Sequence, residues 1–272
     1  MKISGQVAVV TGASSGIGAV VCRALASRDA RVAMLARTPE TLDRARMELG
    51  DLAKRCRTFP CDVGNREAVQ RTMKRVSRVL GVPSILVNNA GIAAYSAFAA
   101  MDPAEMERMV RTNLLGALYC ARAVVSGMRA ARRGAIVNVG SIAGLIPVPH
   151  MSVYSATKWG VTGLSESLNA ELSRDGIHVG VVCPFIVDTP LVARQEARGG
   201  RAIPHALTLK PETVARAVIE VIEKERDLIV LPRSLGAVAA AQMSTGPVLR
   251  WTLRRTAAFF KPRAVAPRGK RR

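Results

Sequence analysis

Short apolar runs alternate with longer segments of helical period along most of the chain. Seven of these runs predict β-strands: Val7–Val10, Arg31–Leu35, Arg57–Pro60, Ile85–Asn88, Ala135–Val139, His178–Cys183 and Leu228–Leu231. Alternation of such strands with helices is typical of βαβ units, and continuous apolar runs indicate strands that are buried on both faces. The pattern therefore predicts an α/β fold, a doubly wound parallel sheet of about seven strands with helices on both faces.

Proline and acidic residues indicate where three of the intervening helices begin. Asp102-Pro103-Ala104-Glu105 combines an N-cap acid, proline at the first helical position and glutamate three residues after the cap. Thr38-Pro39 and Lys210-Pro211 place proline similarly. After Pro211 an apolar stripe at helical spacing predicts a helix that packs on the sheet: Val214, Ala217, Val218, Val221 and Ile222.

The chain divides into a body and a basic end. The segment 1–232 contains no internal repeat or low-complexity linker, so we expect it to form one domain, followed by an extension over 233–272. The formal net charge is +20, and residues 228–272 contain ten Lys and Arg but no Asp or Glu. An excess of this size suggests an anionic membrane, nucleic acid or an acidic partner. Only 4 % of residues are aromatic, and the tail has no motif beyond its charge, so we expect no specific nucleic-acid binding.

Apolar and basic residues are interleaved in the tail, with Trp251 and Phe259 among the apolar ones and Arg250 and Arg254 among the basic ones. This composition is typical of an amphipathic segment at a membrane surface, so peripheral membrane contact is one expectation. A solvated tail that packs one helix on a neighbouring subunit is the alternative.

Five cysteines are scattered without CxxC spacing, and no histidine cluster accompanies them. This arrangement disfavours a zinc site and a disulfide framework. The N-terminus lacks the apolar core of a signal peptide, and no apolar run reaches the ~18 residues that span a bilayer. We therefore expect a cytoplasmic protein with reduced thiols and without a metal.

A glycine-rich turn follows the first predicted strand. Glycines permit positive φ and close approach of the backbone, and the N–H groups at the start of the following helix favour a pyrophosphate. The turn predicts a dinucleotide site, and an ordinary glycine-rich βα turn is the alternative. Its candidate cofactor-binding residues are Gly12, Ser14, Ser15, Gly16, Ile17 and Gly18.

Arg37 follows the second strand, where many dinucleotide-binding folds have an acid that binds the adenosine ribose. A guanidinium pairs well with a 2′-phosphate, so the sequence favours NADP(H) over NAD(H). The alternative is a solvated arginine at a strand end.

Tyr154 and Lys158 are four residues apart on a predicted helix and share a face. An adjacent ammonium stabilises a phenolate, so we expect a lowered pKa for Tyr154 and proton exchange near neutrality. Ser141 ends the fifth strand thirteen residues earlier, where its hydroxyl is suited to polarise a substrate carbonyl. A chance helical pair and a turn-capping serine are the alternatives.

Asn113 lies in register with the apolar residues of a predicted buried stripe, namely Met106, Met109, Val110 and Ala117. A buried amide without partners is costly, so we expect a hydrogen-bond network around it. That network is either purely structural or a proton relay through water.

The motifs follow one another along the chain in the order Thr11–Gly18, Asn88–Gly91, Asn113, Ser141, Tyr154 and Lys158. Because of these motifs and their order, the chain closely resembles the classical short-chain dehydrogenase/reductase family over residues 5 to about 232. The resemblance implies a Rossmann-type sheet, a nicotinamide cofactor and a catalytic tetrad of Asn113, Ser141, Tyr154 and Lys158. In that tetrad Tyr154 protonates the carbonyl oxygen during reduction, and Lys158 also holds the nicotinamide ribose.

Further cofactor contacts are implied by the resemblance alone. Asp62 and Val63 look like the pair that contacts adenine. Asn89, Ala90 and Gly91 resemble the segment that supports the sheet and lines the cofactor. The segment that begins at Pro184 is similar to one whose counterparts of Val187 and Thr189 contact the carboxamide.

Two residues depart from the family pattern. Phe185 stands where the family usually has glycine, so the backbone path there needs testing. Ser15 stands where many NADP(H)-preferring relatives have a basic residue, so the expected preference for NADP(H) depends on Arg37 alone.

The stretch between Ser141 and Tyr154 is mainly apolar and is expected to form a wall of the substrate site: Ile142, Leu145, Ile146, Pro147, Val148 and Met151. Ser141, Ile142, Leu145 and Tyr154 are the expected substrate contacts, and the wall favours a lipophilic ketone, aldehyde or alcohol. The resemblance also implies a homodimer or homotetramer. The sequence thus predicts an NADP(H)-dependent oxidoreductase. The alternatives are an NAD(H)-dependent alcohol dehydrogenase of the same fold and a non-catalytic nucleotide-binding protein with a polyanion-binding tail.

Overall fold

The computed structural model describes residues 1–197 and 208–236, with side chains for 1–193 and 208–236. Its central sheet has seven strands: β1 Val7–Thr11, β2 Arg31–Ala36, β3 Cys56–Pro60, β4 Ile85–Asn88, β5 Gly134–Val139, β6 Ile177–Pro184 and β7 Leu228–Leu231. The strand order is β3-β2-β1-β4-β5-β6-β7, and every neighbouring pair is parallel. The seven strands and the parallel sheet predicted from the apolar runs are confirmed.

The described part of the chain has eight α-helices: α1 Gly16–Ala26, α2 Pro39–Met47, α3 Arg66–Leu80, α4 Pro103–Met109, α5 Gly116–Ala130, α6 Ser152–Leu172, α7 Pro190–Ala197 and α8 Pro211–Lys224. Side chains of α1, α2 and α8 form one apolar core with the sheet. Side chains of α3, α5 and α6 form a second core. Helices therefore cover both faces, as a doubly wound fold requires.

Strand β1 shows why its sequence lacks polar alternation. Ala8 and Val10 pack into the core with α1 and α8, whereas Val7 and Val9 pack into the core with α3 and α5. All five residues of β1 are buried. Because both faces are covered, every position along the strand is selected to be apolar or small.

The predicted helix starts are confirmed. Pro39, Pro103 and Pro211 are the first residues of α2, α4 and α8. The Asp102 carboxylate accepts a hydrogen bond from Ala104 N at 2.9 Å, which satisfies one of the free donors at the start of α4. The predicted apolar stripe of α8 is buried in full: Val214, Ala217, Val218, Val221 and Ile222.

The stripe that contains Asn113 needs one correction. Met109 and Ala117 are buried as expected, whereas Val110 is 37 % exposed. A π-helical turn over Val110–Leu115 lies between α4 and α5. A π turn holds more residues than an α turn, so Met109 and Asn113 share the buried face while Val110, one residue after Met109, points away from it.

The strand order reverses direction between β1 and β4, which places a topological switch point at their carboxyl ends. Open α/β sheets bind ligands in the crevice at such a point. None of the described helices has the length and apolarity needed to cross a membrane. The amphipathic segment expected in the tail lies outside the described residues, so membrane contact stays a prediction.

Candidate active site

The glycine turn runs from the end of β1 into α1. Gly12 and Gly16 have φ of +64° and +53°, which only glycine adopts without strain. A Cβ on Gly12 would lie 2.9 Å from Ala90 Cα, and a Cβ on Gly18 would lie 2.1 Å from Gly12 O. The turn thus needs glycine for both conformation and space, and it leaves the first N–H groups of α1 available for an anion.

Asn89 holds this turn against the end of β4. Its Nδ2 donates to Thr11 O at 3.0 Å and to Gly12 O at 3.2 Å. In return, Thr11 Oγ1 accepts hydrogen bonds from the backbone N–H groups of Asn89 and Ala90, both at 3.0 Å. The segment that follows β4 therefore fixes the position of the cradle, and Gly91 lies beside Asn113 and Lys158 at its other end.

A cleft of about 710 Å³ opens beside the carboxyl ends of β2 and β3. Arg37 and Asp62 line the same cleft, and Arg37 is exposed there. The Asp62 carboxylate accepts the Gly64 N–H at 3.0 Å, and Val63 is buried under the loop. The structure thus brings together the arginine and the acid that sequence reasoning assigned to the adenosine half of a cofactor.

Sequence reasoning missed three further arginines that line this cleft, Arg66, Arg108 and Arg111. Arg66 pairs with Glu67 at 3.0 Å, and Arg108 pairs with Glu105 at 3.4 Å. They come from α3, α4 and the π turn, so no local pattern in the sequence relates them to Arg37.

Tyr154 and Lys158 both lie buried on α6. Lys158 Nζ is 5.7 Å from the centroid of the Tyr154 ring and donates a hydrogen bond to Val139 O at 2.8 Å. Loss of hydration lowers the pKa of Lys158 to about 8 because the interior disfavours its charged form.

The expected lowering of the Tyr154 pKa is wrong for this arrangement. Burial raises the pKa of Tyr154 to about 12, because the desolvated phenolate is costlier than the phenol. A hydrogen bond with the Ser141 side chain opposes this rise but is the smaller effect. Tyr154 therefore starts as a protonated phenol, the form that donates a proton.

Ser141 lies at the end of β5, where its Oγ accepts a hydrogen bond from Ala143 N at 3.2 Å. Ser141 therefore caps the turn that follows β5, which is the alternative role that the sequence suggested for it. The same side chain also reaches the Tyr154 hydroxyl, so it combines a local structural contact with one at the proposed reaction centre.

The side chain of Asn113 is fully engaged by the protein. Its Oδ1 accepts from Ile92 N at 2.8 Å, and its Nδ2 donates to Ile92 O at 2.8 Å and to Thr157 Oγ1 at 3.1 Å. Asn113 therefore fastens the π turn to the loop after β4 and to α6. The sequence left two roles open for Asn113, a structural network and a proton relay through water. The hydrogen bonds of its amide group correspond to the structural network.

A cavity of about 10 Å³ lies between Asn113 and Lys158. Asn88 lines it as well, and Asn88 Oδ1 accepts no hydrogen bond from the described residues. A polar cavity of this size holds about one water molecule. Water next to the lysine is therefore sterically possible, which keeps a relay open as a proposal.

The segment after β6 returns to the glycine turn. Thr189 Oγ1 donates to Val187 O at 3.2 Å, and its Cγ2 would lie 3.1 Å from a Cβ on Gly16. Phe185 is outside the left-handed region and donates its N–H to Leu231 O at 2.7 Å. Pro184 is the last residue of β6. The backbone path therefore does not require the glycine that the family usually has at position 185.

The predicted substrate wall divides into two parts. Ile142 and Leu145 are buried in a cluster with β6 and β7, so their contact with substrate stays a prediction. The other apolar cluster surrounds Tyr154 and includes residues that sequence reasoning did not assign to the site: Ala94, Met101 and Met109, with Ile92, Ala93 and Met106 packed against them. From the predicted wall stretch, Ala143, Val148, Met151 and Val153 also pack there.

Comparison with known proteins agrees with this geometry. The family model for short chain dehydrogenase matches residues 6–199. A cis-4-hydroxycyclohexanecarboxylate dehydrogenase of Sinomonas cyclohexanicum is 39 % identical over 218 residues, which cover 78 % of this chain and 87 % of the relative. A 3-oxoacyl-[acyl-carrier-protein] reductase of Bos taurus is 38 % identical over 186 residues, covering 68 % and 77 %.

Two solved structures show the same architecture. A metagenomic short-chain oxidoreductase in complex with NADP superposes with a TM-score of 0.73 at 31 % identity, covering 85 % of this chain and 98 % of the other. A variant of actinorhodin polyketide ketoreductase with NADPH gives 0.78 at 31 % identity, covering 87 % and 98 %. The chain belongs to the short-chain dehydrogenase family of oxidoreductases, which act on CH–OH and C=O groups.

Proposed function

We propose that this protein transfers hydride between NADP(H) and a lipophilic carbonyl or alcohol, with Tyr154 as its acid and base. The observation that carries the proposal is the convergence of Tyr154, Ser141 and Lys158 at the end of β5, where Lys158 lines one small cavity together with Thr11 of β1. Residues from β1, β5 and α6 meet at the switch point of the sheet, where this fold binds ligands.

The cofactor site fits a dinucleotide because Gly12 and Gly18 let the backbone close into a tight turn that no Cβ would permit, in front of the N–H groups at the start of α1. When bound, the nicotinamide supplies or accepts the hydride. We assign the pyrophosphate to the start of α1, adenine to Asp62 and Val63, and the adenosine 2′-phosphate to Arg37. The remaining proposed contacts are Ser14, Ser15, Gly16, Ile17, Asn89, Ala90, Gly91, Tyr154, Lys158, Pro184, Val187 and Thr189.

During reduction, a C–H bond forms at the carbonyl carbon while the C=O π bond breaks, and the oxygen takes the proton of Tyr154. A phenol with a pKa of about 12 releases its proton only as negative charge develops on that oxygen, so proton transfer accompanies hydride transfer. Ser141, hydrogen-bonded to Tyr154, is placed to hold the same oxygen.

Lys158 resupplies the proton in this proposal. Its pKa of about 8 makes it a far better donor at neutral pH than an ordinary lysine. The cavity next to Lys158 and Asn113 has room for one water, which would connect the ammonium to further donors. Asn113 contributes by fixing the π turn that forms the wall of this cavity.

The substrate class follows from the side chains around Tyr154. Apolar side chains such as Ala94, Met101 and Met109 pack around its ring, alongside the polar groups of Ser141 and Lys158, so an aliphatic or alicyclic group is the fitting neighbour of the reacting carbon. Two relatives are named as a 3-oxoacyl-[acyl-carrier-protein] reductase and a cis-4-hydroxycyclohexanecarboxylate dehydrogenase. The first name describes a keto group on an acyl chain and the second a secondary alcohol on an aliphatic ring, which supports an aliphatic carbonyl or alcohol as the reacting group here.

We also propose a homo-oligomer built through α5 and α6. Leu118 on α5 and Trp159 on α6 are 36 % and 47 % exposed, an unusual exposure for a tryptophan on a surface without a partner. Sedimentation of the wild type beside Trp159→Ala tests this contact. A shift of the variant toward the monomer supports the proposal, and an unchanged mass for both proteins contradicts it.

The function itself is tested by nucleotide binding and turnover in parallel. NADPH is expected to bind about ten-fold more tightly than NADH, and Arg37→Ala is expected to remove that difference. Arg44→Ala is the matched control, since Arg44 is exposed on α2 and does not line the cleft.

Tyr154→Phe keeps the ring and removes only the hydroxyl. We expect kcat for a cyclic ketone to fall about 10³-fold in this variant while NADPH binding changes little. Retention of turnover by Tyr154→Phe would exclude the acid role. Tight binding of either nucleotide without turnover of any carbonyl in the wild type would favour the non-catalytic alternative.

A further inference from the structure

Two loops supply apolar side chains to the cluster around Tyr154. The first, residues 92–97, follows β4 and provides Ala94. The second, residues 145–151, precedes α6 and provides Val148 and Met151. Tyr154 itself is only 9 % exposed, so a substrate carbonyl reaches its hydroxyl only past the side chains that pack around it.

Direct contacts hold the two loops together. The rings of Tyr95 and His150 have centroids 5.6 Å apart and are tilted by 46°. Next to them, Ser96 N donates a hydrogen bond to His150 O at 2.9 Å. One ring contact and one backbone hydrogen bond therefore connect the loop after β4 to the loop before α6.

His150 occupies a conformation that favours glycine, with φ of +63°. A non-glycine residue persists there only where its surroundings hold it, and such positions concentrate at functional sites. Glycine would adopt the same backbone without strain. A histidine at this position therefore costs backbone strain that a glycine would avoid. The interaction that the structure shows for its imidazole ring is the contact with the ring of Tyr95.

We infer that the contact between Tyr95 and His150 is a clasp across the entrance to the substrate chamber and selects substrates by size. This inference rests on the proposed function. Small or flexible carbonyl compounds reach Tyr154 while the clasp stays closed, because Met101, Met109 and Met151 in the chamber wall rearrange easily. Bulky rigid substrates require the two loops to separate, so they must break the contact.

The test compares kcat/KM for cyclohexanone and for 1-decalone, a fused bicyclic ketone, with NADPH. His150→Gly removes the ring and keeps the left-handed backbone. We expect the ratio of decalone to cyclohexanone kcat/KM to rise about ten-fold, with an unchanged KM for NADPH. His150→Asn, which also tolerates this backbone, and Tyr95→Ala are expected to raise the ratio in the same direction.

Arg132→Gly is the matched control. Arg132 is another non-glycine residue with positive φ, at 46°, and lies in the turn between α5 and β5. Its replacement by glycine is expected to leave the substrate ratio unchanged.

The clasp is overturned if His150→Gly and Tyr95→Ala both leave the substrate ratio unchanged while they still bind NADPH and reduce cyclohexanone. The proposed function is then unaffected. An equal loss for both ketones also overturns the clasp, because the pair would then only support Tyr154. Failure of the wild type to bind NADPH or to reduce any ketone would instead defeat the proposed function, and the clasp with it.

Discussion

The two halves of the proposed site are built in different ways. The cofactor half consists of strand ends, a glycine turn and the start of α1, held by backbone hydrogen bonds and by Asn89. The substrate half consists of loops and methionine side chains around Tyr154, with the loops joined by one ring contact and one backbone hydrogen bond. The first half is rigid in shape, whereas the second is assembled from adaptable parts.

This difference matches the chemistry of the two ligands. A dinucleotide presents the same phosphates in every turnover, so a backbone cradle with no spare volume is suited to it. Substrates of one reaction class vary in shape, and unbranched methionines adjust to them at low cost. Substitutions that add a side chain inside the glycine turn should therefore have larger effects than those in the loops.

The largest effect is expected from Gly12→Ala. The new Cβ meets Ala90 Cα at 2.9 Å, and φ of +64° is strained for alanine. Together these costs should lower the free energy of unfolding by about 2–4 kcal/mol, and the displaced turn should weaken NADPH binding. Denaturant unfolding and nucleotide titration measure the two effects.

Gly163→Ala provides the control for this substitution. Gly163 lies on α6, and a Cβ there meets nothing within 4 Å. Alanine should stabilise the helix by roughly 0.5–1 kcal/mol. If Gly12→Ala were as harmless as Gly163→Ala, the rigid description of the cofactor half would be wrong.

The next effect concerns the charge of buried Lys158. Its pKa of about 8 lies below the ~10.4 of an unfolded chain, so the unfolded chain binds more protons between these values. Burial of Lys158 therefore costs stability below pH 8, and this cost is relieved as the pH rises toward 10. Lys158→Met should be more stable than the wild type at pH 7 by on the order of 2–3 kcal/mol.

The pH dependence of that difference is the decisive measurement. Burial raises the pKa values of Cys22 and Cys120, which Lys158 does not affect, so these two thiols destabilise both proteins alike at alkaline pH. The difference in unfolding free energy between Lys158→Met and wild type cancels this contribution and should shrink from pH 7 to pH 10. A constant difference over that range would mean that the folded and unfolded chains bind the Lys158 proton equally, so that burial does not lower its pKa.

The features that the sequence predicted correctly differ from those it missed in how local their causes are. The strands, the helix starts and the glycine turn depend on local patterns, so they were predicted at the right positions. The contacts of Asn113 with Ile92 and Thr157 and the raised pKa of Tyr154 depend on neighbours that folding brings together. Spacing along α6 correctly put Lys158 near Tyr154, but it could not show that burial outweighs the charge.

The smallest effect is expected at Phe185, where the chain departs from the family pattern. Its backbone is not left-handed, and its N–H is hydrogen-bonded to Leu231 O. Phe185→Gly should therefore gain nothing from glycine's freedom and should lose roughly 0.5–1 kcal/mol of stability through added entropy in the unfolded chain. NADPH affinity should stay within about two-fold of wild type.

Phe185→Ala separates the ring from the backbone at this position. The side chain is 38 % exposed, so its removal alone should cost little, and the difference between the alanine and glycine variants isolates the backbone contribution. A large gain in NADPH affinity for glycine but not for alanine would show that the segment after β6 is held away from its best path. The cofactor half would then be adaptable at this edge, and its rigidity would be confined to the glycine turn and Asn89.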